Sequence, residues 1–376
     1  MAGALADLRI VDFSRVLAGP LATMVLADLG AEVTKIERPG SGDDTRTWGP
    51  PYDETGMSTY FQSVNRNKTS VVLDLRTGTD IARARELVDS ADVVVENFRP
   101  GVMDGLGLSY EELRAANPAL VYCSITGFGT GEGAALPGYD LLVQAVGGLM
   151  SITGTPEGQP QKVGVALVDV ICGLFASIGI LTALRHRDRT GEGQRVQLDL
   201  LSCLLAALVN QGAAYTSAGE VAGRMGNEHR SVAPYDLLRA ADASLVIAVG
   251  TDEQFRALTA TLRCPELADE AAYSTNAARV ENRERLREEL EARLTKRPAS
   301  HWLEVLSAVR VPAGQVNDIA GAFALAERLG LKPIVEIPRA DGGVARLARN
   351  PIGLSATPAS YRTAPPPLSG DGAPPP

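Results

Sequence analysis

The residue best placed by type and spacing to do chemistry is a carboxylate in an apolar run. Asp169 stands alone among Val165, Leu167, Val168, Val170 and Ile171, and the apolar pattern continues through Ile178, Ile180, Leu181 and Leu184 at helical spacing. Asp is a favoured N-cap, so the pattern predicts Asp169 at the start of a helix, held ionised by the first-turn N–H groups and the positive end of the dipole. A desolvated carboxylate kept charged in this way is a candidate nucleophile. The same pattern would serve an ordinary cap on a core helix.

The remaining reactive side chains narrow the choice. Three histidines, His186, His229 and His301, are too few for a histidine-built site, so no metal is expected and acid–base work falls to carboxylates. Cys123, Cys172, Cys203 and Cys264 form no C-x-x-C pair, which argues against zinc and against a disulfide framework and fits a reducing cytoplasm. A net charge of −9 without a basic stripe argues against a nucleic-acid partner. No apolar stretch of membrane-spanning length runs free of Gly, Asp or Arg, and the first seven residues lack the basic-then-apolar pattern of a signal peptide. Neither a membrane nor export is expected.

The elements that must position Asp169 follow from periodicity. Strands are predicted at 8–13, 32–37, 70–75, 92–98, 120–125 and 194–198, with helices at 21–29, 80–88 and 110–116. Near-continuous β-branched strands alternating with helices predict an α/β fold with a doubly wound, mostly parallel sheet. Binding then belongs at the carboxyl ends of the strands, at Arg38, 97–101 and 126–129. Glu37 ends the second strand where a ribose-binding acid would stand. The first turn, 16–20, lacks the G-x-G-x-x-G that a pyrophosphate needs, so a dinucleotide is disfavoured and Arg38 is read as a phosphate partner instead. Arg66 and Lys68 read as solvated surface charges.

The chain of 376 residues is long enough for two domains. A large domain is expected over 1–218, ending in one long apolar helix at 200–216, with a linker at 219–226. A smaller α+β domain is expected over 227–325. It holds strands at 235–238 and 245–249, a helix at 252–262, a charged helix with a solvated face at 279–297, and a short strand at 310–316 leading back to the first domain. Residues 330–363 are expected to return to the large domain, and the Pro-rich tail 364–376 to be disordered.

Taken in order, several segments resemble one family. They are 13–20 (FSRVLAGP), 35–39 (KIERP), 65–68 (NRNK) with 73–75 (LDL), 96–101 (ENFRPG), 122–129 (YCSITGFG), 138–140 (GYD) and 164–169 (GVALVD). The set resembles the class III coenzyme A transferases, and 59–68 and 231–235 look most like the branch that moves CoA from succinyl-CoA to glutarate and related dicarboxylates. The resemblance implies that Asp169 is the nucleophile, forming an aspartyl-acyl anhydride and then an aspartyl-CoA thioester. It implies that CoA, a substrate rather than a permanently bound cofactor, lies along Leu17, Ala18, Arg38, Leu73, Asp74, Leu75, Arg76, Asn97, Phe98, Arg99, Leu136, Pro137, Gly138 and Tyr139. The far carboxylate of the acceptor acid needs a cation, for which Arg15, Arg46, His229 and Arg230 are candidates. The family implies an interlocked homodimer. Its racemases of 2-methylacyl-CoA, the alternative reading, carry histidine where this chain has Tyr139, a group with an ordinary pKa of about 10, which favours transfer. The glycine run that covers the nucleophile in formyl-CoA transferase is reduced here to the one glycine of Val249-Gly250-Thr251-Asp252.

Overall fold

Runs of Val and Ile bracketed by turn residues form six short strands. These are β1 (Arg9–Asp12), β2 (Glu32–Glu37), β3 (Lys68–Val72), β4 (Val93–Glu96), β5 (Val121–Thr126) and β6 (Arg195–Asp199). In the computed structural model, which describes residues 3–368, they make one sheet in the order β3-β2-β1-β4-β5-β6, with every pair parallel. Parallel neighbours require crossovers, and the helices that supply them cover both faces. Ala18–Asp28 and Leu167–Thr190 pack Ala22, Leu26, Cys172 and Ala176 against Ile10, Val93 and Val95. Gly78–Asp89 and Tyr110–Ala116 pack Ala84, Val88 and Leu113 against Val11, Val94 and Tyr122. The strand order reverses between β1 and β4, and the loops leaving their carboxyl ends form a crevice.

The chain divides into two units, residues 3–149, 162–220 and 332–368, and residues 150–161 and 221–331. Residues 150–161, expected in the larger domain, cluster with the smaller one because Arg224 donates to the carbonyls of Thr155, Pro156 and Gly158. The smaller unit carries an antiparallel sheet of β7 (Tyr235–Arg239), β8 (Ser244–Ala248) and β9 (Ala313–Gln315), so the strand expected to lead away stays with its own sheet. Its helices bury Phe255, Leu258, Leu290, Trp302 and Leu306.

Several expectations need correction. The long helix at 200–216 is two, Leu200–Ala207 and Val209–Ala218, bent by 85° where Val209 takes a φ of 40°. The charged helix at 279–297 breaks at Asn282 into Asn276–Glu281 and Arg283–Leu294. Arg279 is fully buried, not solvated, and donates to the carbonyls of Ala233 and Tyr273 and to Asp252.

Arg66 and Lys68 are likewise buried. Arg66 grips Asp28 at 2.6 Å, and Lys68 reaches Asp12 at 3.1 Å. The same stretch fastens the C-terminal segment to the larger unit. Arg66 donates to Ala348 O, the Asn67 amide oxygen accepts the N–H groups of Arg362 and Thr363, and Asn350 donates to Asp28. That segment holds the hairpin of β10 (Ile334–Pro338) and β11 (Val344–Ala348). Of the tail expected to be disordered, residues 364–368 are packed. Pro365 is buried and the Pro366 carbonyl accepts from Arg46 at 3.1 Å; residues 369–376 lie outside the described part.

Candidate active site

Asp169 is the third residue of the Leu167–Thr190 helix, and Ala166 is the N-cap, so Asp169 does not cap as expected. The first-turn donors are already taken. Leu167 N–H bonds to Val165 O, while the N–H groups of Val168 (2.8 Å) and Asp169 (3.3 Å) both reach one oxygen of Asp140. The other Asp140 oxygen accepts from Gln144 at 2.6 Å, and the Gln144 carbonyl accepts Val163 N–H at 2.9 Å. The half-buried Asp169 carboxyl therefore gains nothing from the helix N–H groups. Burial, then the charge of Asp140, pushes its pKa up to about 7, and the expectation of a carboxylate held firmly ionised is overturned.

Asp169 forms one wall of a cavity of about 300 Å³ at the carboxyl ends of β1, β4 and β5. Arg15, Leu17 and Ala18 come from the loop after β1. Asn97, Phe98 and Arg99 come from the loop after β4, and Leu136, Pro137, Gly138 and Tyr139 from the segment facing them. A second cavity, of about 410 Å³, lies at the ends of β2 and β3 and is lined by Arg38, Leu73, Asp74, Leu75 and Arg76. Arg15 and Phe98 line both. All fourteen residues of the expected CoA path thus gather around these two adjoining spaces.

The loop after β1 is held against its own preference. Val16 has a φ of 69°, a left-handed conformation that a β-branched residue adopts at a cost of about 1–3 kcal/mol. The Asn97 side chain clamps Arg15 from both sides, accepting its N–H and donating to its carbonyl at 2.8 Å each. Asp43 accepts Val16 N–H at 3.3 Å and is paired with the fully buried Lys35 at 2.9 Å, whose ammonium also donates to Ser14 O. Although burial opposes the charge of Asp43, Lys35 and the bonds from Thr45 keep its pKa below the usual value. The opposite wall depends on two glycines. A methyl group on Gly127 would lie 2.4 Å from Gly138 Cα, so the Leu136–Tyr139 stretch can approach only where neither residue has a side chain.

The four cations proposed for a distal carboxylate fare differently. Arg15 is half-buried, lies 4.8 Å over the Phe98 ring, and pairs with no carboxylate among the described residues. Burial and the like charge of Arg38 lower its pKa. Arg46 is spent, because it donates twice to Glu37, at 2.7 and 2.6 Å, and stacks on Phe61. Ser70 also donates to Glu37, which leaves that acid no role with a ribose. His229 and Arg230 belong to the smaller unit, where the His229 ring accepts Ser231 N–H and lies 5.2 Å from Tyr235. In that unit, too, the Gly250–Thr251 stretch caps the Asp252–Thr261 helix. Arg38 bonds to Asp44 at 2.5 Å while staying partly exposed.

Sequence reasoning gave no site role to Tyr60 or Asp140. Tyr60, like Ala166 and Val170, packs against the cluster of Leu17, Met24 and Val64, and burial plus the charges of Asp169, Asp140 and Asp43 push its hydroxyl up to about 12. A parallel sheet in this order, with a half-buried carboxylate facing a cleft at the strand ends, defines an α/β protein with a binding crevice at its topological switch point. The chain belongs to CoA-transferase family III, whose model matches residues 5–372. It is 42% identical to the succinate–glutarate CoA-transferase of Agrobacterium fabrum, over 97% of this chain and 92% of that one. It is 44% identical to the succinyl-CoA:mesaconate CoA-transferase of Haloarcula marismortui, over 85% of this chain and 82% of that one. Among solved structures it resembles a CAIB/BAIF family protein from Brucella suis, with a TM-score of 0.87 and 42% identity, covering 98% of this chain and 97% of that one.

Proposed function

We propose that this enzyme moves CoA from an acyl-CoA, succinyl-CoA in the first instance, to a free dicarboxylic acid through Asp169. The observation that carries the reading is the Asp169 carboxyl itself, half-buried at the wall of a cleft and pushed up to about pH 7, where ionised and neutral forms are both populated. The ionised oxygen attacks the donor thioester carbonyl. The C–S bond breaks, CoA leaves as thiolate, and a mixed anhydride remains. Thiolate attack on the aspartyl carbonyl releases the donor acid and leaves an aspartyl-CoA thioester. The acceptor carboxylate then displaces the thiolate to give a second anhydride, and thiolate attack on its acyl carbon forms the new acyl-CoA and restores Asp169. One thioester is exchanged for another, so no external energy source is required.

CoA is read as lying along both cavities, its pantetheine arm in the one beside Asp169 and its phosphates toward Arg38 and Arg76. Arg15 is read as the cation for the far carboxylate, since it pairs with no carboxylate among the described residues and lines the cavity beside Asp169. A homodimer is part of the proposal. The Asp169 helix exposes Leu174, Phe175, Ile178 and Leu181, a face that a second copy would cover, and sedimentation as a monomer would sink that part. Four unpaired buried cysteines suit a reducing cytoplasm.

The test is to incubate succinyl-CoA with glutarate, malate, mesaconate, itaconate and oxalate and read the products by mass. Transfer to at least one dicarboxylate is expected, with hydroxylamine trapping at Asp169 during turnover and loss of transfer in Asp169→Ala. Exchange of an α-proton without transfer, or full turnover by Asp169→Ala, would overturn the reading.

A further inference from the structure

Asp140 lies on a different helix from Asp169, Asp140–Val146, yet one of its oxygens receives both first-turn N–H groups of the Asp169 helix that point outward. Its other oxygen is tied through the buried Gln144 to Val163, on the segment that enters that helix. We propose that Asp140 is a positioning residue for the transfer chemistry: it closes the first turn in place of Asp169 and holds the nucleophile beside a fixed negative charge. The inference rests on the reading of Asp169 as the nucleophile.

Two consequences follow from this arrangement. A carboxylate that accepts several N–H bonds is stabilised and a poor nucleophile, and the Asp140 oxygen takes the N–H bonds that would otherwise quiet Asp169. A like charge nearby also acts on only one state of the cycle. Free Asp169 is negative and is repelled, whereas the anhydride and the thioester are neutral at that position and are not. The charge lost from Asp169 leaves with the thiolate. Asp140 thereby raises the resting carboxylate relative to the acylated one, so part of the cost of acylation is already present in the folded enzyme.

Other groups near Asp169 do not supply this effect. Tyr60 faces it from the Thr59–Ser63 helix and is neutral at working pH, and Cys172 on its own helix is a buried thiol. Arg15, Arg99 and Tyr139 line the same cavity, and none bonds to Asp169 among the described residues. Cys203, on the helix Leu200–Ala207, meets Cys172 rather than Asp169. The charge that bears on Asp169 is that of Asp140.

The decisive variant is Asp140→Asn, which keeps an acceptor oxygen for the two N–H groups and removes the charge. Asp169 is titrated in the resting enzyme by isotope-edited infrared difference spectroscopy against Asp169→Asn, and kcat/KM is followed against pH. The half-point of ionisation and the acid limb of the profile are both expected to fall by about one pH unit in Asp140→Asn, with a lower thermal midpoint because its Nδ2 meets the Gln144 Nε2 donor. Asp140→Ala, lacking the acceptor as well, is expected to lose thermal stability. Should the Asn variant not fold, Asp140→Ser offers another neutral acceptor for the same titration. An unmoved titration of Asp169 in the neutral variant would overturn the inference, as would a wild-type half-point near 4. Turnover by Asp169→Ala would instead overturn the nucleophile reading, and the infrared titration separates the two because it needs no catalysis.

Discussion

At Asp169, reactivity and stability pull in opposite directions. Its folded pKa of about 7 lies above the ordinary 3.8, so the folded state binds a proton more tightly than the unfolded chain does. The stabilisation this provides is complete below about pH 4 and is lost as pH rises through 7. Asp169→Asn is neutral throughout, so it should be more stable than wild type by about 4 kcal/mol at pH 8 and nearly equal to it at pH 4. Thermal melts at the two pH values check this, and an equal difference at both would contradict it. Arg15 belongs to the same scale. Loss of a charge-assisted contact to a carboxylate costs about 1.5–3 kcal/mol, so Arg15→Ala should raise the KM for a dicarboxylic acceptor by roughly 10- to 100-fold and leave a monocarboxylic one little changed. Equal losses for both acids would assign Arg15 to the CoA phosphates instead.

At the scale of elements, the cleft depends on close approach rather than on bulk. Gly127→Ala must push away the segment that carries Leu136 and Tyr139, because the added methyl would sit 2.4 Å from Gly138 Cα. A rise in the KM for acyl-CoA is expected, with a fall in stability of about 1–3 kcal/mol. Unchanged kinetics would show that this wall does not touch the substrate. Strand 32–37 and helix 110–116 were legible because their signals are local: β-branched Val33, Thr34 and Ile36 in the strand, and in the helix a capping box in which Ser109 and Glu112 satisfy each other. The gathering of Leu17, Asn97 and Leu136 could be anticipated from the family's ordered motifs. Arg66 and Lys68 were misread because their partners Asp28 and Asp12 lie 38 and 56 residues away. Asp169 was read as its own cap for the same reason, since the carboxylate that does the work comes 29 residues earlier. Charge pairing across a fold leaves no periodic trace in the chain.

At the scale of the whole molecule, the smaller unit is largely an excursion of the chain, 221–331, between two parts of the larger one. The larger sheet is complete by Asp199, but its surroundings are not. A chain ending at residue 330 should therefore express poorly or aggregate, despite holding every strand of that sheet and every residue of the two cavities. Recovery of a well-folded truncated protein that melts like the full chain would contradict this.

The knot around Asp28 sets an order on the birth of the protein. Arg66 reaches Asp28 early in synthesis, but Asn350 arrives 322 residues after it, and Arg362 and Thr363 later still. A ribosome adding about 5–20 residues per second leaves Asp28 waiting roughly 15–60 s for its last clasp. Through that interval the surface that Ala348, Asn350, Arg362 and Thr363 will cover stays open, so the step at which a chaperone could matter most is the emergence of residues 348–363.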